Sequence, residues 1–157
     1  SLINQGADVL LQNTDSTAVL QTAERNGKFA FGWNSDMSSF SSNAHLASAI
    51  VNWTPHYIAS IESLRNGTWS SQRVIGGVNN GVNDLVKIAD VVPADARAKI
   101  DDLKSQYRAG TFSPFTGPLS DNTGKVVLPA GQVGDRAWLD SMNFFVKGVE
   151  GRVPAGK

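Results

Sequence analysis

Two short apolar runs, each ending in a polar cluster, flank a segment of helical character, and this pattern constrains the fold more than any other feature. Residues 28–37 (Lys-Phe-Ala-Phe-Gly-Trp-Asn-Ser-Asp-Met) follow Gly27 and contain the cluster Asn34-Ser35-Asp36. Residues 6–13 (Gly-Ala-Asp-Val-Leu-Leu-Gln-Asn) run into Asn13-Thr14-Asp15-Ser16. Short apolar runs bounded by turn residues suit buried strands. Between them, residues 17–26 are rich in Ala, Leu, Gln and Glu, and Gly27 is placed to stop a helix. Strand, helix and strand with short connections form a βαβ unit, whose strands are parallel and whose crossover is right-handed. Parallel strands put Asn13, Thr14 and Asp15 at the same sheet edge as Trp33, Asn34 and Asp36. That edge is where open α/β sheets hold their ligands. The expected fold class is therefore α/β, a parallel sheet with flanking helices.

The charge balance narrows the partners. With 14 basic against 14 acidic side chains and no Lys/Arg cluster, nucleic acid and anionic membrane surfaces are poor candidates. The absence of cysteine excludes disulfides, thiolate metal sites and thiol nucleophiles, and the two isolated histidines, His45 and His56, make a poor zinc site. No cofactor and no metal are expected. No apolar run approaches the ~20 residues that span a bilayer. The opening Ser1-Leu2-Ile3-Asn4-Gln5-Gly6 reads as the end of a helix stopped by Gly6, so the chain is expected to be a piece of a longer protein.

Further along, residues 46–51 read as a third strand. Thr54-Pro55 then opens a helix, Thr54 as N-cap and Pro55 at the first helical position, with Ile58, Ile61 and Leu64 on one apolar face and Gly67 as its close. Residues 68–77 read as a connection and short strand, and Gly76-Gly77 allows a tight turn or the close approach of another group. That pair lacks the spacing of a dinucleotide-binding loop. Asn79-Asn80-Gly81 turns the chain into a strand over 82–88. The clearest helix begins at Pro93, places Ala96, Ile100, Leu103 and Tyr107 on one face and ends at Gly110. Residues 112–129 read as a hairpin turning at 121–124, with 125–128 as the return strand. A short helix over 135–142, a last strand over 143–149 and a loose tail complete the chain.

Several residues have two readings. Asp15 and Asp36 share an edge, as an acid–base pair would, but no nucleophile, metal ligand or oxyanion motif accompanies them. No catalytic residue is assigned, and hydrogen bonding to a ligand is the expected role. Asp15 reads equally as the cap of the helix starting near Ser16. Trp33 either stacks on a base, worth roughly 1–3 kcal/mol, or packs in the core. Trp53 either meets a ligand or packs at a strand–helix corner. Trp69, Phe112, Phe115, Trp138, Phe144 and Phe145 read as core, and His45 and His56 as surface or packing residues.

Taken together, Gly-Ala-Asp-Val-Leu-Leu-Gln-Asn-Thr-Asp-Ser-Thr, Phe-Gly-Trp-Asn-Ser-Asp, Gly-Thr-Trp before Gly-Gly, and Gly-Thr-Phe-Ser-Pro-Phe-Thr-Gly-Pro-Leu-Ser-Asp resemble the basic membrane protein (PnrA-like) family. These are substrate-binding lipoproteins of ABC importers for purine nucleosides and related ligands. The similarity runs in order from residue 1 to residue 152, and the joint occurrence of the motifs makes it specific. It implies the C-terminal half of a type I periplasmic binding protein, two α/β lobes that clamp a ligand between them. Residues 1–37 would be a βαβ unit of the second lobe, 45–67 a return to the first, 68–152 the remaining hinge and lobe elements, and 153–157 a tail.

The implied partners are a purine ligand, a membrane permease and the missing N-terminal half. The implied location is the periplasm, or a lipid anchor on the outside of the cell membrane. Asp36 matches the acidic residue that accepts hydrogen bonds from ribose hydroxyls. Asn34 stands where many relatives have Asp, and near Asn52-Trp53 many have Lys. Asn13-Thr14-Asp15 replaces a glycine-richer loop. These departures imply that a free base such as adenine is a ligand candidate beside a nucleoside. Gly77 completes the expected ligand-binding set. The resemblance leaves room for two alternatives, a ligand-sensing domain of a regulator and a nucleoside hydrolase or transferase.

Overall fold

The computed structural model describes residues 2–154. The chain divides into two compact units, one ending at Gly110 and the other beginning at Thr111. Ser1 and the last three residues of the expected tail lie outside the described residues.

The first unit is a four-stranded sheet in the order β1 (Val9–Leu10), β2 (Phe29–Asn34), β3 (His45–Val51) and β4 (Asn83–Val86). β1, β2 and β3 run parallel, and β4 is antiparallel to β3. The expected βαβ unit is present, with α1 (Ala18–Arg25) between β1 and β2. β1 is far shorter than residues 6–13 suggested. Its pairing with β2 covers only Val9 and Leu10.

The pleat of β2 divides its side chains between two faces. Ala30 and Gly32 are buried on one face, and Phe29, Phe31 and Trp33 are half-buried on the other. The first face carries a core of Leu20 and Ala23 from α1, Ala30, Met37 and Ala44, with Leu10 and Val19 packed against it. On the other face Phe29, Phe31, Leu46, Leu85 and Ile88 border an apolar cavity of about 240 Å³ closed in part by Val92 and Ile100. Ile100 belongs to α3 (Ala94–Ala109), which starts after Pro93 and ends at Gly110 in the left-handed conformation. Ala96, Ile100, Leu103 and Tyr107 are its half-buried face, as the spacing predicts. Lys104 ties α3 to β4 by donating to Leu85 O and pairing with Asp84, both at 2.8 Å.

The end of a helix expected at the start is a short 3-10 turn, Ile3–Gln5, stopped by Gly6 at φ 97°. Several expectations change. Thr54 is not the N-cap of α2 (Thr54–Arg65) but its first residue, and Pro55 is the second. The Thr54 N–H is taken by Asn52 Oδ1 at 3.1 Å, so the cap comes from the residue two places earlier. No strand forms over 68–77, and Trp69 there is exposed rather than core. Phe112 is likewise more open than a core residue. β3 pairs along β2 in this sheet. Ile58, Ile61 and Leu64 of α2 are more than half exposed, at 52%, 58% and 61%.

In the second unit β5 (Leu119–Ser120) and β6 (Val126–Leu128) form the expected hairpin around residues 121–124. The buried Asp121 carboxylate organises that turn, accepting from Thr123 N, Thr123 Oγ1 and Lys125 N at 2.9, 2.7 and 2.9 Å. A short helix, α4 (Arg136–Asp140), is capped by Asp135, which accepts from Trp138 N. Trp138 packs between Phe115 and Phe144 with ring centroids at 6.0 and 6.1 Å, in a half-buried aromatic cluster. The strand expected over 143–149 is reduced to one bridge between Asp121 and Val146, and Arg152–Pro154 carry no regular structure.

Candidate functional site

The parallel order of β1, β2 and β3 brings their C-terminal ends to one edge. β4 runs the other way, so its first residue, Asn83, pairs with Val51 at that same edge. Three of the expected clusters therefore meet along it, Asn13-Thr14-Asp15, Asn34-Ser35-Asp36 and Asn52-Trp53, together with the turn from Gly77 to Asn83.

The first two clusters are joined directly. Asn34 ends β2 with φ 63°, and its side-chain amide donates to the Asp15 carboxylate. Asp15 does not cap α1: the N-cap is Thr17, and the N–H of the first helical residue, Ala18, donates to Ser16 Oγ at 3.2 Å. Thr14 Oγ1 donates to Gln12 Oε1 at 2.8 Å, and Asn13 is exposed. Gln12 reaches back in turn, its Nε2 donating to Phe31 O at 3.0 Å.

Asp36 stands exposed at the crest of the turn that follows β2. One oxygen accepts from Ser38 N at 3.0 Å. Hydrogen bonding from the Ser38 side chain and backbone, aided by the charge of Lys87, holds its carboxyl below the usual carboxylate range. A carboxylate kept ionised and partly free can accept from hydroxyl or amino donors.

Trp33 is half-buried on the face of Phe29 and Phe31, opposite Ala49 in the register. Trp53 is 55% exposed and stacks on Tyr57, ring centroids 6.2 Å apart and planes at 24°, with His56 edge-on at 6.3 Å. Beside it lies an open cleft of about 520 Å³ bordered by Val51, Trp53, His56, Val74, Gly76 and Asn83. That volume is in the range of small-molecule sites, roughly 300–1,000 Å³. Asp15, Asn34 and Asp36 do not line it, so the edge holds two neighbouring groups rather than one enclosed pocket. The Asn52 side chain is engaged at α2, and its N–H donates to Val82 O at 2.6 Å. Gly77 is committed to its own turn: its N–H donates to Asn80 Oδ1 at 2.8 Å, and its carbonyl accepts from Val82 and Asn83.

Residue types and spacing left one group unseen. Of the two readings of His45, surface or packing, the structure takes the second: it is buried, at 2.8 Å from Ser48 Oγ, a bond that the sequence did not signal. Burial lowers its pKa from the usual histidine value, partly opposed by the Asp36 charge. Ser48 sits in a run of small and apolar residues that signals a strand, and nothing in the run signals a bond to the loop after β2. Among the described residues no cluster of three or more His, Cys, Asp or Glu side chains could hold a metal ion. No helix among them is long and apolar enough to cross a membrane.

The sequence matches a known family. The profile of the ABC transporter substrate-binding protein PnrA-like family covers residues 1–111. A purine-binding protein of Brucella abortus is 37% identical over 156 residues, 98% of this chain and 44% of its own length. A Haloferax volcanii protein named as an ABC transporter glucose-binding protein is 28% identical over 99% of this chain and 37% of its own length. The chain thus spans less than half the length of these curated relatives. Among solved structures, that of a transcriptional activator of the comK gene from Bacillus halodurans superposes with a TM-score of 0.65 over 72% of this chain and 41% of its own, at 23% identity. That likeness shows the fold. On the match over residues 1–111, this chain belongs to the PnrA-like family of ABC transporter substrate-binding proteins.

Proposed function

We propose that the chain is part of the binding component of an ABC importer, which holds a purine nucleoside or free purine base between two lobes without chemical change. The observation that carries the reading is the shared edge, where three polar strand ends converge and the Asn34–Asp15 bond fixes two of them. Family membership supports the transport role, and the name of the Brucella relative supports a purine. Asp36, with Asn34, Asp15, Thr14 and Asn13, supplies hydrogen-bonding groups for ribose or a base edge. Trp33 and Trp53 offer aromatic faces beside them. Asn52 and Gly77 shape the neighbouring turn.

In this reading residues 1–37 belong to the second lobe, residues 45–67 return to the first, and residues 68–152 supply the remaining hinge and lobe elements. The open apolar face of α2 supports that assignment. The remaining half of the protein and the membrane permease are the partners. The location is the periplasm, or a lipid anchor on the outer side of the cell membrane.

Calorimetry of the longer protein that carries this chain, against adenine, adenosine, guanosine and inosine with glucose as a comparison, tests the reading. Failure of every purine to bind tighter than about 100 μM, roughly −5.5 kcal/mol, sinks it. Tight glucose binding would move the assignment to a sugar. Asp36→Ala distinguishes the ligand's parts: contact with a ribose diol predicts a larger loss for nucleosides than for free bases. Turnover of labelled nucleosides that vanishes in that variant would make the protein an enzyme.

A further inference from the structure

Directly after the Asn34–Asp36 cluster the chain doubles back over the sheet, and a buried relay of three groups holds it there. Met37 N–H donates to Ser48 Oγ at 3.0 Å, and Ser48 Oγ is 2.8 Å from His45 Nε2. Ser48 is fully buried and His45 is 4% exposed, so both are shielded from water. A serine hydroxyl has a single proton. While its oxygen accepts from Met37, that proton finds an acceptor in His45 Nε2 when the ring is neutral and that nitrogen is bare. An imidazolium would bring a second donor onto Ser48 Oγ and leave the hydroxyl proton without its acceptor. Gly32 makes the arrangement possible: a Cβ there would lie 2.3 Å from Ser48 Oγ and 2.9 Å from Met37 Cβ.

We propose that His45 and Ser48 are positioning residues for Asp36: the neutral His45 ring gives the buried Ser48 hydroxyl proton its acceptor and so holds Ser48 Oγ against Met37 N–H, and that bond sets where the neighbouring Asp36 carboxylate stands. The consequence for ligand binding rests on the reading of Asp36 as a ligand residue. The charged groups around His45 are accounted for by element. Asp36, on the loop after β2, acts on the ring and favours its charged form. On α1, Glu24 accepts from Asn43 N. Beyond β4, Lys87 acts on Asp36 in turn.

Burial outweighs the Asp36 charge and holds the His45 pKa below its usual value. The folded chain therefore binds fewer protons than the unfolded chain in this range. The relay is intact above the free histidine pKa of about 6.5, and stability falls as the pH drops below it.

Hydrogen exchange at the Met37 amide, followed by NMR on the 157-residue chain between about pH 5 and 8 beside the His45 ring titration, tests the relay. After correction for intrinsic exchange, Met37 protection should fall in step with His45 protonation, about tenfold for each pH unit below the ring's pKa. His45→Gln still offers Ser48 an acceptor but does not titrate, and should keep Met37 protected throughout. Ser48→Ala should lose that protection at every pH. Protection that ignores the His45 titration in the unsubstituted chain, or that survives Ser48→Ala, overturns the relay, whether or not His45→Gln folds.

Purine affinity over the same pH range separates this inference from the functional reading. Affinity that falls as Met37 opens supports the positioning of Asp36, and affinity that stays constant overturns it. Absence of purine binding at any pH sinks the purine reading, and Met37 exchange alone then decides the relay.

Discussion

Asn34 donates its side-chain amide to the Asp15 carboxylate across 19 residues of sequence, joining the loop after β2 to the loop after β1. Asn34 reaches Asp15 from a left-handed backbone, φ 63°, a region that Asn enters more readily than most residues. Asn34→Asp would set two carboxylates against each other. Both residues are exposed, so the loss of stability should stay below about 1 kcal/mol and should shrink with added salt. Asn34→Ala should cost a similar amount with a weaker dependence on salt. Urea denaturation at low and high ionic strength checks this, and an identical salt response in the two variants would disprove the charge argument.

Gly32 is the tightest point of the sheet's α1 face. An added Cβ would meet Ser48 Oγ at 2.3 Å, Met37 Cβ at 2.9 Å and Ser48 Cβ at 3.1 Å. The Ser48 side chain belongs to a strand and cannot swing away without giving up Met37 and His45. Gly32→Ala is therefore expected to destabilise by about 1–3 kcal/mol, the usual cost of overpacking. It should also speed hydrogen exchange at Met37. A variant as stable as the parent in denaturant would show that the loop after β2 yields freely.

Asp84 fastens β4 to α3. It lies 2.8 Å from Lys104 Nζ and 3.5 Å from Arg108 Nη2, with 26% of its side chain exposed. Burial pushes its pKa up, but the hydrogen bonds from Lys104 and Leu85 N–H and the two positive charges win, so it lies below the ordinary 3.8. The sign follows: this stabilisation is complete above the free carboxylate value and is lost as the pH falls through the lower folded value. Asp84→Asn should cost about 1–3 kcal/mol near neutral pH. The gap between parent and variant should close in acid below that free value. A gap that persists unchanged in acid would mean that shape, not charge, holds the pair.

The open face of α2 predicts association. Ile58, Ile61 and Leu64 stand more than half exposed, and Trp53 and Tyr57 extend the apolar surface at its start. Burying such side chains is worth roughly 1.5–3 kcal/mol each, and contiguous patches of this kind drive contact between molecules. The isolated chain should therefore self-associate, and Ile58→Lys with Ile61→Lys should shift it toward monomer. Those substitutions should leave stability within about 0.5 kcal/mol. Analytical ultracentrifugation of both forms decides it; a parent chain that is monomeric at every concentration would remove α2 as an interface.

Much of the architecture was legible in local pattern. The two apolar runs and the helical segment between them predicted β1, α1, β2 and their parallel order, because a short strand–helix–strand connection leaves little other choice. The stops at Gly6 and Gly110, the half-buried face of α3 and the turn at 121–124 were equally readable, since each depends on residues within a few positions of one another. The edge of the sheet as a meeting place for Asn13, Asp15, Asn34 and Asp36 followed from the same parallel order, whereas Asn52 joins it because β3 extends that order.

Tertiary structure alone decided how those groups are used. Asp15 read equally as a helix cap and as a ligand residue; in the fold its carboxylate accepts from Asn34, and the Ala18 N–H at the start of α1 goes to Ser16 Oγ instead. Thr54 had the residue type of an N-cap, but Asn52 reaches its N–H first because β3 delivers the chain at that angle. Ser48 and His45 looked like ordinary members of a strand and became the support for Met37 only once the chain folded back across Gly32. Residues 68–77 and 143–149 had strand-like composition but found little or no partner strand. The physical reason is common to all of these. Periodicity and capping are set by neighbours in sequence, whereas a hydrogen bond between distant residues depends on register, and a strand exists only when another backbone satisfies it.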